Sequence, residues 1–221
     1  MKLYIKNNYN SKEENSESLL KKALALYMNE KTASASFDAE DFLIGRTSKG
    51  KPYLKEVVKS KKQELQEELQ VEKEGFSVHF SVSHTGSMWA CAVCDCEVGL
   101  DIEKGKPGAK FFDISKRFFE EAEQSYIEEA FNRGEEPGIE AFYKVWTGRE
   151  AYAKYTGDGF FGPAMKEFSL VINTEMQKDY VIKHFLVDEL IKDGIVVSGE
   201  EIYGAICMEK DERECWEITQ I

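Results

Sequence analysis

Apolar residues recur along the chain with two spacings, and these spacings separate strand candidates from helix candidates. Alternating or continuous apolar runs are typical of strands, and a spacing of three or four residues is typical of a helix face. Strands are predicted at residues 3–5, in two runs within 79–93, and at 98–103, 167–172, 180–186 and 202–208. Helices are predicted at residues 19–27, 59–74, 114–130 and 139–155. This mixture of elements predicts an α+β fold.

Polar and glycine-containing segments between these runs predict where the elements end. Ser16 or Ser18 is expected to cap the first helix, because a serine oxygen can accept a hydrogen bond from a backbone N–H of the first turn. Residues 83–87 (SHTGS) predict a polar turn between two strands, and residues 132–138 predict a loop. Gly157 is expected to end the last long helix.

The chain also carries a short sign of internal duplication. The run WACAV at residues 89–93 resembles YGAIC at 203–207, although chance can also produce so short a pattern. The pattern is compatible with two similar α/β lobes in a pseudo-twofold arrangement, at residues 1–97 and 98–221, with a helical insertion at about 57–75. The active site is then expected at the interface of the two lobes, a common place for a ligand site.

The composition is that of a globular protein with an acidic surface. The 221 residues are enough to bury a core, and 42% are hydrophobic and 32% charged. The net charge of −12 argues against nucleic acid as a partner. No stretch reaches the ~18 consecutive apolar residues needed to span a bilayer. Because the N-terminal residues also lack the apolar core of a signal peptide, we expect a cytoplasmic protein with no membrane partner.

The five cysteines admit two interpretations. The odd number and the absence of a signal peptide predict free thiols in a reducing compartment. Cys91, Cys94 and Cys96 lie close enough in sequence to begin a metal site, but no second pair with zinc-ligand spacing follows. The small and apolar residues around them favour a buried strand instead.

Three acidic residues in two separate segments are the strongest candidates for chemistry. Side chains two apart on a strand point to the same face, so Asp101 and Glu103 are expected to project together while Ile102 enters the core. Glu150, on the last long helix, would add a third carboxylate. An all-oxygen site of this kind suits Mg²⁺, which prefers carboxylates, water and phosphate oxygens. The three residues therefore predict phosphate chemistry.

Each candidate also has a purely structural interpretation. Two carboxylates near the end of a strand are most often exposed surface groups. Glu150 and Lys154 are four residues apart, a spacing typical of a solvated salt bridge on a helix. His79 and His184 are interpreted as structural residues. The neighbouring sequence must therefore decide between a surface role and chemistry.

Four sequence blocks between about residues 50 and 160 share their order and spacing with a known enzyme family. They are GKPY at 50–53, FSVSHTG at 80–86, VGLDIEK at 98–104 and FYKVWTGREAYAK at 142–154. Together they resemble the 4′-phosphopantetheinyl transferases, in particular the two-lobed monomeric type that activates peptide-synthetase and related carrier proteins. Each block is weak alone, and the resemblance depends on all four.

The resemblance implies an enzyme of the holo-[acyl-carrier-protein] synthase or 4′-phosphopantetheinyl transferase class. Such an enzyme moves the 4′-phosphopantetheine group of coenzyme A to a serine of an apo acyl or peptidyl carrier protein and releases 3′,5′-ADP. It also implies Mg²⁺ as a cofactor, coenzyme A as a substrate, a monomeric state, and a place in fatty-acid or secondary-metabolite biosynthesis. The choice of carrier protein stays open.

The same resemblance implies roles for individual residues. Asp101, Glu103 and Glu150 would bind Mg²⁺, and Glu150 is either a ligand alone or also the general base. Lys154 would reach the α-phosphate and stabilise or protonate the departing 3′,5′-ADP. The residues expected to contact coenzyme A elsewhere are His84, which is also expected to be catalytic, and Ser83, Thr85, Lys51 and Arg46.

Two other functions stay open at this point. A degenerate homologue would bind coenzyme A or a carrier protein without turnover, and the intact set of three carboxylates argues against it. An unrelated Mg²⁺-dependent phosphate enzyme, such as a hydrolase, is the second alternative. The sequence has neither a Walker-type glycine-rich loop nor a paired-aspartate phosphatase motif, which argues against that alternative.

Overall fold

The computed structural model describes residues 1–32, 36–58, 77–106, 108, 110–166, 168–170, 180–187, 201–209 and 217–221. The chain divides into two compact units, one formed by Met1–Val98 with Glu214–Ile221 and the other by Gly99–Arg213. From residue 59 onward, the predicted helical insertion lies outside the described residues. The lobe boundaries and the pseudo-twofold arrangement stay predictions.

Strands and helices alternate irregularly, which confirms the predicted α+β class. In chain order, the described elements are β1 (Lys2–Lys6), α1 (Ser16–Lys31), β2 (Phe42–Arg46), β3 (Pro52–Val57), β4 (His79–Thr85), β5 (Met88–Cys94), β6 (Val98–Lys104), α2 (Phe111–Phe118), α3 (Glu121–Arg133), α4 (Glu135–Thr156), β7 (Tyr180–Leu186), β8 (Ile202–Glu209) and β9 (Glu217–Gln220). Of the helices just named, none is both long and apolar enough to cross a membrane.

The first unit is built on a four-stranded sheet in the order β4-β5-β1-β9. β5 is antiparallel to β4 and β1, whereas β9 pairs in parallel with β1. All residues of β5 are buried, which explains its continuous apolar run. Helix α1 packs against β5 with Leu20 and Leu24 in the core, and the Trp89 indole N–H donates to Ser16 Oγ at 2.8 Å.

The second unit is built on a three-stranded sheet in the order β6-β8-β7. The 22-residue helix α4 packs against β8 and β7 through small and apolar residues that recur at helical spacing, including Val145, Gly148 and Ala151. An aromatic core joins α4 to α2 and α3, with Phe111 and Phe119 packed on Phe142. The core therefore holds α4, which carries two of the predicted site residues, on both sides.

The cysteine-rich run is the buried strand that its neighbours indicate. Cys91 and Cys94 lie on β5 and are buried, and Cys94 Sγ is 3.1 Å from Cys96 Sγ. None of Cys91, Cys94, Cys96 and Cys207 is joined in a disulfide. Burial raises the pKa of the Cys91 thiol, so this thiol stays protonated at neutral pH.

The run predicted as one helix at 114–130 forms two helices. The backbone is extended at Phe119 and Glu120, between α2 and α3. The Glu120 and Glu123 side chains form a reciprocal capping box that satisfies backbone N–H groups at the start of α3. A new helix start is therefore stabilised inside a run whose apolar spacing alone predicts continuity.

The predicted loop at 132–138 is wrong as well, because α4 begins at Glu135. Pro137 lies within the first turn of this helix, where a missing backbone N–H costs no intrahelical hydrogen bond. At the other end, the prediction is confirmed, since Gly157 caps α4 in the left-handed conformation with φ 71°.

Two local predictions in the first unit are corrected. Asn15 caps α1, because its side chain accepts from the Glu17 N–H at 2.8 Å, so neither Ser16 nor Ser18 is the cap. The turn predicted at 83–87 is shorter, because β4 runs to Thr85. In the second unit, residues 168–170 are the described part of the strand predicted at 167–172, and they form no strand.

Candidate active site

Two elements of the second unit, β6 and α4, carry the acidic residues singled out by the sequence. Asp101 lies on β6 and is 4% exposed. The Lys154 ammonium, on α4, donates to Asp101 Oδ1 at 2.7 Å. Ile102 is buried in the core, as the strand alternation predicts. The structure thus joins two predicted site residues that are 53 positions apart in the sequence.

Gly99 allows β6 and α4 to approach closely. A Cβ atom at this position would lie 1.9 Å from the Ala151 carbonyl oxygen and 2.5 Å from the Tyr155 backbone nitrogen. Both contacts are shorter than any stable packing distance between these atoms, so the backbones could not lie this close with a larger residue. Gly99 therefore brings the strand that carries Asp101 against the helix turn that carries Glu150 and Lys154.

Glu150 lies in the electrostatic field of the other predicted ligands. Burial raises the pKa of its carboxyl above the ordinary value, and the negative charges of Asp101 and Glu103 raise it further. The charge of Lys154 opposes this shift. The structure thus brings Asp101, Glu103, Glu150 and Lys154 into one electrostatically coupled group, and their individual roles stay predictions.

The chemistry of this group fits a hard divalent cation. The charges of Asp101 and Glu103 raise the pKa of Glu150 because they repel its ionised carboxylate, and only the charge of Lys154 opposes this effect. A divalent cation would relieve that repulsion, and carboxylate oxygens are the protein ligands that Mg²⁺ prefers. The arrangement is not itself a formed metal centre: across the described ranges, no three His, Cys, Asp or Glu side chains are placed to hold a metal ion.

The predicted coenzyme A contacts Ser83, His84 and Thr85 belong to the first unit. All three lie on β4, paired with β5, rather than in a turn. Ser83 and Thr85 are buried, whereas His84 is exposed and its ring centroid is 5.6 Å from that of Tyr9. The polar turn predicted at 83–87 is therefore reduced to Gly86 and its neighbour Ser87.

Lys51 and Arg46 also lie in the first unit, near the hairpin of β2 and β3. Lys51 Nζ is 2.7 Å from Glu97 Oε2, and His79 Nδ1 is 2.9 Å from Glu97 Oε1. Arg46 is exposed and donates to the Gly50 carbonyl oxygen at 3.3 Å. Glu97 thus engages Lys51, which the resemblance predicts to contact coenzyme A, and no local pattern reveals this pairing across 46 positions.

The second unit also contains a half-open cavity of about 240 Å³ between α4 and the strands β7 and β8. His184 on β7 and Lys144 on α4 both line it. Burial, together with the charge of Lys144, lowers the pKa of His184 to about 4, so its imidazole is neutral at physiological pH. The sequence contains no motif that indicates this cavity.

Comparison with known proteins shows which family part of the chain resembles. Residues 97–188 match the family model of the 4′-phosphopantetheinyl transferase superfamily. The matched segment contains Asp101, Glu103, Glu150 and Lys154, and the resemblance inferred from the sequence blocks is therefore confirmed.

Individual relatives carry the same name. A 4′-phosphopantetheinyl transferase of Bacillus subtilis is 37% identical over 86 residues, which are 39% of this chain and 36% of the relative. The 4′-phosphopantetheinyl transferase Sfp, also of Bacillus subtilis, is 32% identical over 99 residues, 45% of this chain and 42% of the relative. The 4′-phosphopantetheinyl transferase HetI of a Nostoc species is 28% identical over 127 residues, 57% of this chain and 52% of the relative.

These matches span about a third to a half of the relatives' own length. The names of the relatives support the expectation of an enzyme of this class. Those names describe the relatives themselves.

Proposed function

We propose that this chain is a 4′-phosphopantetheinyl transferase. It moves the 4′-phosphopantetheine group of coenzyme A to a serine of an apo acyl or peptidyl carrier protein, depends on Mg²⁺ and releases 3′,5′-ADP. The observation that carries the proposal is the coupled group of Asp101, Glu103, Glu150 and Lys154, which lies inside the segment that matches this superfamily.

Asp101, Glu103 and Glu150 are the residues that would hold Mg²⁺. When bound, the ion would offset the negative charge of the pyrophosphate of coenzyme A and orient it for in-line displacement. The protein contributes rigidity, because Asp101 lies on a strand whose first five residues are buried and Glu150 lies on a helix anchored in the aromatic core. Ligands on regular elements keep their geometry better than ligands on loops.

The remaining chemistry requires a proton acceptor and a stabiliser of the leaving group. The carrier serine oxygen forms a bond to the β-phosphorus of coenzyme A, and the bond from that phosphorus to the bridging oxygen breaks. Glu150 accepts the serine proton as the general base. Lys154 donates to the phosphate oxygen that departs with 3′,5′-ADP, and it leaves its contact with Asp101 to do so.

A transfer assay tests this proposal. The protein is incubated with Mg²⁺, coenzyme A and several diverse apo carrier proteins, and each carrier is weighed by mass spectrometry. We expect the mass gain of one phosphopantetheine group, and we expect Glu150→Gln to abolish it. Glu129→Gln, at an exposed position of α3, is the matched control and should transfer normally.

The same assay separates the proposal from its main alternative, binding without turnover. If coenzyme A binds the protein in calorimetry but no carrier tested gains mass, the chain is a degenerate homologue. A mass gain that persists in Glu150→Gln would leave the transferase reaction standing but would refute the role of Glu150.

A further inference from the structure

Arg149, the residue directly before Glu150, is buried against a carboxylate. The side chain of Arg149 is 3% exposed and that of Glu123 is 0% exposed, and Arg149 Nη1 is 3.4 Å from Glu123 Oε2. Glu120 Oε1, at the surface, lies 4.0 Å from Arg149 Nη2. A guanidinium that is almost fully removed from water requires such a partner, because an unpaired buried charge is strongly destabilising.

The Glu123 carboxylate accepts hydrogen bonds from two backbone N–H groups. Its Oε2 accepts from the Glu120 backbone N–H at 3.1 Å, at the start of α3. Its Oε1 accepts from the Leu170 backbone N–H at 3.0 Å. The carboxylate therefore ties the start of α3 and the segment 168–170 to the Arg149 side chain of α4.

Two aromatic rings flank the guanidinium of Arg149. Its Cζ atom is 5.7 Å from the ring centroid of Phe119 and 5.7 Å from that of Phe168. Such stacking favours arginine, whose planar group presents two faces. Phe119 in turn packs on Phe142 and Trp146 of α4. The Glu123 carboxylate and the two aromatic rings therefore surround the Arg149 guanidinium in the core.

We propose that Arg149 and Glu123 are positioning residues that fix the rotation of α4 about its axis, so that Glu150 faces Asp101. Consecutive residues of an α-helix project about 100° apart, so anchoring Arg149 sets the direction of the next side chain. Neither residue touches the reacting atoms. The inference rests on the proposed function only in taking Glu150 as the working carboxylate.

Metal binding, measured apart from turnover, tests the inference. Mn²⁺, as a paramagnetic substitute for Mg²⁺, is titrated against the full chain and followed by electron paramagnetic resonance. We expect Arg149→Met and Glu123→Gln to weaken Mn²⁺ binding by about 10- to 100-fold, the range typical of groups that orient metal ligands. We expect kcat for transfer to fall with little change in the KM for coenzyme A.

Conservative and control variants separate positioning from folding. Arg149→Lys keeps the charge, and we expect it to recover part of the Mn²⁺ affinity that Arg149→Met loses. Arg133→Met and Glu129→Gln alter exposed residues of α3 and should bind Mn²⁺ as the unmodified protein does. If Arg149→Lys and Glu123→Gln are folded by circular dichroism and both bind Mn²⁺ and turn over normally, the pair is merely structural and the inference is refuted.

Crystal structures distinguish failure of this inference from failure of the proposed function. If the unmodified protein neither binds Mn²⁺ nor transfers phosphopantetheine, the proposed function is wrong. The direction of the Glu150 side chain in the crystal structures of the unmodified protein and the Arg149→Lys and Glu123→Gln variants then decides the positioning role. A Glu150 side chain that keeps its direction toward Asp101 in both variants overturns it, and a redirected side chain supports it.

Discussion

The contact between Lys154 and Asp101 places an ammonium group 2.7 Å from a carboxylate that is 4% exposed. A buried carboxylate depends on such a partner, because water no longer stabilises its charge. The lysine is about a third exposed, so solvent screens part of the attraction. At the scale of single residues, Lys154 therefore stabilises the fold in addition to its proposed role with the leaving group.

We expect Lys154→Met to lower the free energy of unfolding by ~1–3 kcal/mol in the absence of added metal, since it removes a partner from the Asp101 carboxylate. Urea denaturation of the unmodified protein and the variant measures this change. Lys144→Met, at an exposed position on the same helix, is the control and should change the free energy by less than ~0.5 kcal/mol. Equal stability of Lys154→Met and the unmodified protein would contradict this view of the pair.

The pair of His79 and Glu97 predicts how the first unit responds to pH. The hydrogen bond to Glu97 raises the pKa of His79 above its ordinary value, and burial opposes the shift. The same hydrogen bond, together with the hydrogen bond and charge of Lys51, lowers the pKa of Glu97 to about 2, although burial opposes this shift. The stabilisation that His79 contributes to the folded state is complete below ~6.5, its pKa in the unfolded chain. It is lost as the pH rises through the higher pKa that His79 has in the folded protein. The stabilisation that Glu97 contributes to the folded state is present above pH ~4.5 and is lost as the pH falls toward 2.

We therefore expect the pair to stabilise the first unit most between about pH 4.5 and 6.5. Proton NMR can follow the imidazoles individually, because the chain has three histidines. The His79 signal should titrate above pH 6.5, whereas the His184 signal should not titrate until about pH 4. Glu97→Gln should return the His79 midpoint to about 6.5 or below and leave His184 unchanged. A His79 midpoint that Glu97→Gln does not alter would contradict the pairing.

At the scale of elements, the close approach of β6 to α4 depends on one residue. A Cβ atom at Gly99 would lie 1.9 Å from the Ala151 carbonyl oxygen, so the two backbones would have to separate. We expect Gly99→Ala to lower the free energy of unfolding by ~1–3 kcal/mol, the usual range for overpacking. It should also reduce phosphopantetheine transfer, because Asp101 moves away from Lys154.

Denaturation and the transfer assay, run on the same preparation, check the Gly99→Ala expectation. Val98→Ala, at the preceding buried position, makes the matched comparison, since it also destabilises β6 but adds no atom against α4. We expect Val98→Ala to keep its activity at a temperature where it is folded. Equal activity of the two folded variants would show that the close approach does not position the site.

The sequence correctly predicts the elements whose residues follow a single local pattern of apolar positions. Strand β5 is buried throughout and β8 is buried in all but its last residue, and each is visible as an apolar run. The break between α2 and α3 is missed, because side chains from Glu120 and Glu123 override a continuous apolar spacing. The start of α4 is missed because Pro137 is usually a sign of a loop, although the first turn of a helix tolerates it.

Local sequence patterns also predict only part of the candidate site. The alternation of β6 predicts that Asp101 and Glu103 share a face, and the helical spacing predicts that Glu150 and Lys154 do. Which groups actually meet depends on tertiary contacts. The ion pair of Lys51 with Glu97 joins residues 46 positions apart, and no period in the sequence encodes it.

At the scale of the whole molecule, the two ends of the chain meet in one sheet. β9 pairs in parallel with β1, with Lys2 opposite Glu217 and Ile5 opposite Gln220. The Ile221 N–H also donates to the Ile5 carbonyl oxygen at 3.0 Å. β9 contains one aliphatic residue in four, so its own sequence does not predict a strand, and its partner lies at the opposite end of the chain.

The β9 strand covers the backbone edge of β1, so its removal should expose that edge. We expect deletion of residues 217–221 to accelerate hydrogen exchange of the β1 amides that β9 protects, because an edge strand leaves N–H groups open to water. Exchange in β7 and β8, which belong to the second unit, should stay unchanged. Mass spectrometry of peptides from the two sheets measures both rates in one experiment.

Glu217→Gln is the matched control for that deletion, because it removes only the contact of Glu217 with Lys2. Glu217 is largely exposed, and an exposed ion pair contributes little to stability. The β1 amides should therefore exchange as slowly in this variant as in the unmodified protein. If the deletion leaves β1 exchange unchanged, the parallel pairing does not protect β1. If Glu217→Gln accelerates the exchange as much as the deletion does, the ion pair rather than the backbone pairing holds the two ends together.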